Sequence, residues 1–212
     1  MRQRFIIQSL LLVLITGGLT VTVAYASSKL HVGVITPLSG SLTASGEAVR
    51  ESVILADELY DKTNLVEFTF EDDGFLPKNS VTIARKFIAD RVDAIIVFGT
   101  PTALAIAPLT ERAKVPLAAI SILDKVVQDK NYTVRHFVSW QEETQRVVQE
   151  VRRLGYQRIA MVTTQNDASL ALRDGFISQS GVEIVLNEEF GKDDLDFRVV
   201  AARIKGLRPD AV

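Results

Sequence analysis

Leu30-His31-Val32-Gly33-Val34-Ile35-Thr36-Pro37 decides the fold. Leu30, Val32, Val34 and Ile35 read as a strand, and Thr36-Pro37 closes it. Working outward, positions 46–62 read as a helix with Val49, Val53, Ala56 and Tyr60 on one face, at i, i+4, i+7 and i+11. A second strand covers 66–71 and turns at Asp72-Asp73-Gly74. A helix over 77–90 turns Val81, Ala84, Phe87 and Ile88 inward. A third strand over 93–98 ends at Gly99-Thr100-Pro101. A helix over 102–114 contains Pro108, which is expected to kink or shorten it, and a fourth strand covers 117–120. Strands that are apolar throughout and separated by helices mean a parallel sheet covered on both faces. The fold class is α/β, built on doubly wound parallel sheets.

The rhythm then restarts. Residues 134–139 are extended, and a helix over 141–154 carries Thr144, Val147, Val148, Val151 and Leu154 on one stripe, with Gly155 as its cap. Strands over 158–163 and 182–189 alternate with helices over 168–180 and 195–207. Pro209-Asp210-Ala211-Val212 begins another strand, so the second lobe is expected to be incomplete. Asp193-Asp194-Leu195-Asp196 reads as an acidic helix start, which suits the helix dipole.

The chain opens with Arg2 and Arg4, an uncharged run over 5–28 centred on Leu10-Leu11-Leu12-Val13-Leu14-Ile15, and the small-x-small site Ala24-Tyr25-Ala26. This is the pattern of an export signal over 1–26, with an uncleaved membrane anchor as the alternative. No Cys stands near that site, which excludes a lipid-anchored lipoprotein. Without the segment, 22 basic residues face 26 acidic ones, which argues against nucleic-acid binding. The absence of Cys removes disulfides and thiolate metal sites.

Chemistry is hard to find. There is no G-x-S-x-G and no G-x-G-x-x-G after the first strand. Gly40-Ser41-Leu42-Thr43-Ala44-Ser45-Gly46-Glu47 has its glycines too far apart for a phosphate loop, and Glu47 stands where Lys is needed. His31 and His136 lie on separate predicted strands and read as structural, Glu71-Asp72-Asp73 reads as a solvated turn, and Trp140 fits either a cleft wall or a packed interface. No catalytic residue, metal ligand or cofactor is expected. In a doubly wound sheet, ligands sit beyond the carboxyl ends of the strands. Those ends here carry Thr36-Pro37-Leu38-Ser39, Asp72-Asp73, Gly99-Thr100-Pro101-Thr102 and Ser121.

Val32-Gly33-Val34-Ile35-Thr36-Pro37-Leu38-Ser39-Gly40, Glu71-Asp72-Asp73 with Pro77, Ala105-Ile106-Ala107-Pro108-Leu109-Thr110-Glu111 with Val115-Pro116, Leu154-Gly155-Tyr156-Gln157-Arg158-Ile159-Ala160, and Asp174-Gly175-Phe176 follow one another in a telling order. With Asp194-Leu195-Asp196-Phe197 and Pro209-Asp210-Ala211-Val212, they resemble the type I periplasmic binding proteins of the leucine or branched-chain amino acid group of ABC transporters. The resemblance implies two lobes joined by crossing strands, here 27–138 and a partial 139–212. It also implies a small solute closed between the lobes, delivery to a membrane permease, a periplasmic location and no enzymatic activity. It points to Ser45, Thr100, Thr102 and Ser121 from the first lobe and Ser169 from the second as ligand contacts. Ser45, Leu123 and Ser169 replace an aromatic, a Thr and a Tyr of amino-acid-binding members. That departure supports the alternative of a periplasmic sensor or regulatory module acting through a protein partner.

Overall fold

The computed structural model describes residues 29–191, 194 and 196–212. The predicted export signal and residue 195 of the helix predicted over 195–207 lie outside these residues.

The first half is one parallel sheet of five strands in the order β2-β1-β3-β4-β5. Its elements are β1 (Leu30–Thr36), a 3-10 turn (Gly40–Leu42), α1 (Thr43–Tyr60), β2 (Val66–Asp72), α2 (Pro77–Ala89), β3 (Ala94–Phe98), α3 (Thr100–Ala113), β4 (Leu117–Ile120) and β5 (Thr133–Arg135). Val32 to Ile35 pair with Ala94 to Val97, and Leu117 to Ala119 pair with Thr133 to Arg135. Side chains alternate along each strand. Ile35, Ile95, Val97, Leu117 and Ala119 therefore point to one face, where they meet Ala84 and Phe87 of α2 and Ala103, Ile106 and Ala107 of α3 in a single buried cluster.

The opposite face is only partly covered by the described residues. Alpha-helix α1 lies along β1, while Val32, Phe68, Ala94, Ile96, Ala118 and Val134 line an open groove of about 460 Å³. Helices therefore lie on both faces of the sheet, α2 and α3 on one and α1 on the other. The inward stripe of α1 is shorter than its periodicity predicts, since Ala56 is exposed and Tyr60 is 81% exposed.

The second half pairs β6 (Arg158–Thr164) with β7 (Glu183–Phe190) in parallel, between α4 (Trp140–Leu154), α5 (Asp167–Ser180) and α6 (Arg198–Leu207). Val148, Ile159 and Phe176 form its small core. The predicted last strand begins to pair: Ala211 bridges Ile159 in parallel, and Ala160 N–H donates to Ala211 O at 3.0 Å. Asp210 anchors this return by accepting from Gln157 and Arg158 N–H (2.7 and 2.9 Å).

Some details differ from expectation. The helix after β3 starts at Thr100, because Pro101 occupies the first turn, where its missing N–H costs nothing. That helix runs unbroken through Pro108. The last helix starts at Arg198.

Carboxylates tie the loops. Glu111 accepts from Asn131 N–H (3.0 and 3.1 Å) and Tyr132 N–H (3.0 Å), and these bonds, Asn131 first, hold it below the usual carboxylate range. Asp61 is lowered by the backbone of Leu65 and Val66, and Asp210 by that of Gln157 and Arg158. A carboxylate whose folded pKa is depressed stabilises the fold above its unfolded pKa, and that stability is lost as pH falls through the folded value. Melting temperature is therefore expected to hold from pH 7 to about 5 and to fall below about 4, where free carboxyls titrate. Thermal melts over this range check it, and Glu111→Gln should shrink the fall. An acid-independent melting temperature would refute the assignment.

Candidate functional site

The carboxyl ends of β1, β2, β3 and β4 share one edge of the first sheet, because all four strands run parallel. The loops at that edge are bolted to each other. Asp72, at the end of β2, accepts from Leu38 and Ser39 N–H (2.8 and 3.2 Å) in the loop after β1, and from Gly74 N–H (2.9 Å) in its own turn. Burial alone would raise Asp72, but the donors from Ser39, Gly74 and Leu38 outweigh it and hold the carboxyl low.

Asp73 corrects the reading of Glu71-Asp72-Asp73 as a solvated turn. Its side chain has no exposed surface; it accepts from Ser80 Oγ (2.7 Å) and Phe75 N–H (2.8 Å), and burial pushes its carboxyl up. The residue fastens the start of α2 to the turn.

Thr100 and Ser121 do come together across two loops. Their hydroxyls lie 3.0 Å apart and are buried, and Ile122 N–H donates to Thr100 Oγ1 (3.3 Å) while Leu123 N–H donates to Ser121 Oγ (3.2 Å). The pair therefore shapes the floor of the edge and fixes the chain after β4. Thr102 lies in the same first turn with no exposed surface, and its hydroxyl donates to Phe98 O and Gly99 O (2.6 and 2.8 Å). The first turn of α3 leaves the amides of Thr100 and Thr102 without acceptors inside the helix, as at any helix start. The positive end of the helix dipole lies there too.

Phe75 is the residue that sequence reasoning missed. A β-carbon on Gly99 would lie 2.3 Å from its ring, and Gly99 holds φ at 100°, so glycine is required on both counts. Phe75 itself sits at φ 59°, an unfavourable conformation for a bulky side chain. Its ring lies 6.2 Å from that of Phe98. The strained turn lays an aromatic over the start of α3. A sequence pattern carries no signal for a positive φ at Phe.

Ser45 is half-buried in the first turn of α1. Ser169 sits in the first turn of α5 and exchanges hydrogen bonds with the cap Asn166, whose Oδ1 accepts from Ser169 N–H and whose Nδ2 donates to Ser169 Oγ (both 3.0 Å). Leu123 is buried. Trp140 packs on α5: a β-carbon on Gly175 would lie 2.6 Å from its ring.

The passage between the halves is organised by Arg135, also unmarked in the sequence. Its Nη1 donates to Phe137 O (2.7 Å), Val138 O (3.2 Å) and Ser121 O (3.3 Å), and its Nε lies 3.2 Å from Asp124 Oδ1. Asp124 in turn accepts from Gln141 of α4 (2.9 Å). His31 lies 2.8 Å from Thr69 Oγ1 within the sheet. Among the described residues no group of three His, Cys, Asp or Glu could hold a metal, and no helix is long and apolar enough to cross a membrane.

The parallel α/β lobe thus brings its strand-end loops together at one open edge. The family described as periplasmic binding protein matches residues 29–212, and the chain belongs to it. The Leu/Ile/Val-binding protein BraC3 of Rhizobium johnstonii is 23% identical, over 93% of this chain and 58% of its own length. The leucine binding protein LivK of Thermotoga maritima superposes with a TM-score of 0.79 at 25% identity, covering 85% of this chain and 54% of that one. An ABC transporter solute binding protein of R. palustris, solved with 4-hydroxybenzoate, superposes at 0.81 with 22% identity, covering 87% and 54%. The chain spans between half and three fifths of the length of these relatives.

Proposed function

We propose that the protein is the solute-capturing component of an ABC transporter, exported to the periplasm, and that it takes a small organic carboxylate. The observation that carries this is the joined edge at α3. The amides of Thr100 and Thr102, the dipole of α3 and the Thr100–Ser121 hydroxyl pair converge where the loops after β1, β2, β3 and β4 meet. Amides at a helix start suit an anion without needing a basic side chain. The named ligands of the relatives support the same class: Leu, Ile and Val for BraC3, leucine for LivK and 4-hydroxybenzoate for the R. palustris protein all carry a carboxylate. In this reading Thr100 and Ser121 frame the carboxylate, and Thr102 positions the turn from beneath. Ser45 and Ser169 approach from the rims, and Phe75 braces the floor. The lobes divide as 27–138 and 139–212, and the protein hands its solute to a permease without transforming it.

The test is a thermal-shift panel of leucine, isoleucine, valine, benzoate and 4-hydroxybenzoate against the secreted protein. A ligand at about 100 times its Kd adds roughly 2.7 kcal/mol, which is a rise of about 5–10 °C for a chain of this size. One member of the panel is expected to give this rise, and Thr100→Val is expected to remove most of it. No shift with any of the five, with a periplasmic protein retained by the immobilised chain, would favour the sensor reading instead.

A further inference from the structure

One side chain joins the site to the second half of the chain. Phe137 and Val138, in the crossing between β5 and α4, are 55% and 50% exposed. A short exposed segment has little packing to fix its angle. Arg135, the last residue of β5, fixes it instead. Its Nη1 donates to Phe137 O and Val138 O in the crossing (2.7 and 3.2 Å) and to Ser121 O beyond the end of β4 (3.3 Å). Its Nε lies 3.2 Å from Asp124 Oδ1, and Gln141 Nε2 of α4 donates to Asp124 Oδ2 (2.9 Å). Trp140 N–H, at the first position of α4, donates to Ile122 O (3.1 Å). The loop 121–124 and the start of α4 are thus held as one piece, with Arg135 at its centre.

The partners call for arginine. Three carbonyls and a carboxylate surround one side chain that is 19% exposed. A guanidinium presents its donors in a planar fork and can meet all of them, whereas an ammonium is a single point of charge on a flexible stem. Ser121 belongs to two systems at once. Its carbonyl accepts from Arg135, and its hydroxyl lies 3.0 Å from that of Thr100 in the proposed solute site. A shift of the crossing therefore reaches the site through the backbone of one residue, and a solute held at Ser121 bears on the crossing by the same path.

We infer that Arg135 is the positioning residue of the hinge: it fixes the angle between the two lobes and ties that angle to the loop carrying Ser121. The inference rests on the two-lobe, solute-binding reading above. Hinges are a few residues that absorb changes in backbone angle. Here Phe137 and Val138 absorb them, and their carbonyls exchange Arg135 for water as they do. Water can take the place of the guanidinium at residues this exposed. Removing Arg135 is therefore expected to loosen the hinge while each lobe stays folded.

The chain has no Cys, so spin labels can be placed cleanly. Lys78→Cys lies in the first turn of α2 and Asp167→Cys at the first position of α5, and both residues are exposed. Distances between these labels, read by double electron–electron resonance on the secreted protein without solute, are expected to form one narrow distribution. Arg135→Met keeps the apolar stem, removes the fork, and is expected to widen the distribution at least twofold. Arg135→Lys is expected to fall between the two. Asp124→Asn is expected to widen it less, and to add nothing to Arg135→Met, since both act through the same link. A control pair at Lys62→Cys and Lys78→Cys, within the first lobe, is expected to keep its distance in every variant, which separates a loosened hinge from a lost fold. No change in Arg135→Met, a starting distribution already as wide, or an equal change in the control pair overturns the inference. No solute is present, so failure of the solute panel leaves this result standing, and failure here leaves the solute reading standing.

Discussion

Gly46→Ala is expected to lower the melting temperature by about 6–12 °C, a loss of about 3 kcal/mol. A β-carbon at this position would lie 1.8 Å from the carbonyl oxygen of Pro37 and 2.5 Å from its carbon. Both are backbone atoms, so no side chain can swing aside. Either the first turn of α1 lifts off or the loop after β1 moves, and that loop is held by Asp72 through Leu38 and Ser39 N–H. Intrinsic helix propensity works the other way, favouring Ala over Gly by about 1 kcal/mol in a helix interior. The overlap is expected to win because two packed backbones meet there. Gly206→Ala is the matching control. That residue lies in α6 with nothing within 4 Å of an added β-carbon, so its substitution is expected to be neutral or stabilising by up to about 1 kcal/mol. Equal behaviour of the two variants in thermal melts would show that the contact at Pro37 is not what holds α1.

Phe87→Ala is expected to cost about 3–5 kcal/mol, the range for emptying a buried aromatic site. Phe87 of α2 is 1% exposed and joins α2 to the sheet at the centre of the main cluster. Its ring rests on Gly33 of β1, where a β-carbon would lie 2.4 Å from it. The two positions are therefore coupled. Gly33→Ala alone drives a methyl into the ring and is expected to destabilise. In the Phe87→Ala background the same methyl enters the vacated space, and its penalty is expected to shrink or reverse. Denaturant melts of the two single variants and the double variant measure the coupling. Strict additivity would mean that Gly33 is there for some reason other than the ring.

Both predictions rest on close approaches that no periodicity reveals, and the same limit governed the site. Pattern reasoning located the strand ends, and with them the loops carrying Thr100 and Ser121. It read Asp73 as solvated because turn carboxylates usually are, and a second contact with Ser80, seven residues on, is what buries it. It gave Arg135 no role, because its partners are backbone carbonyls, which have no residue identity to read. It assigned Ala56 and Tyr60 inward on spacing alone, whereas the described part of the sheet beneath α1 is too small to reach them.

What the chain determined by itself is the alternation of strands and helices, the parallel sheet and the edge at which a ligand would lie. These follow from local hydrophobic period and turn chemistry, which act over a few residues. What only the tertiary structure decided is how that edge is built. Phe75 over Gly99, Thr100 against Ser121 and Asp72 across to Leu38 are contacts between residues 21 to 34 apart, or held by a strained φ. Such contacts depend on which strands become neighbours, and the order β2-β1-β3-β4-β5 is set by packing of the whole sheet rather than by any one stretch of it.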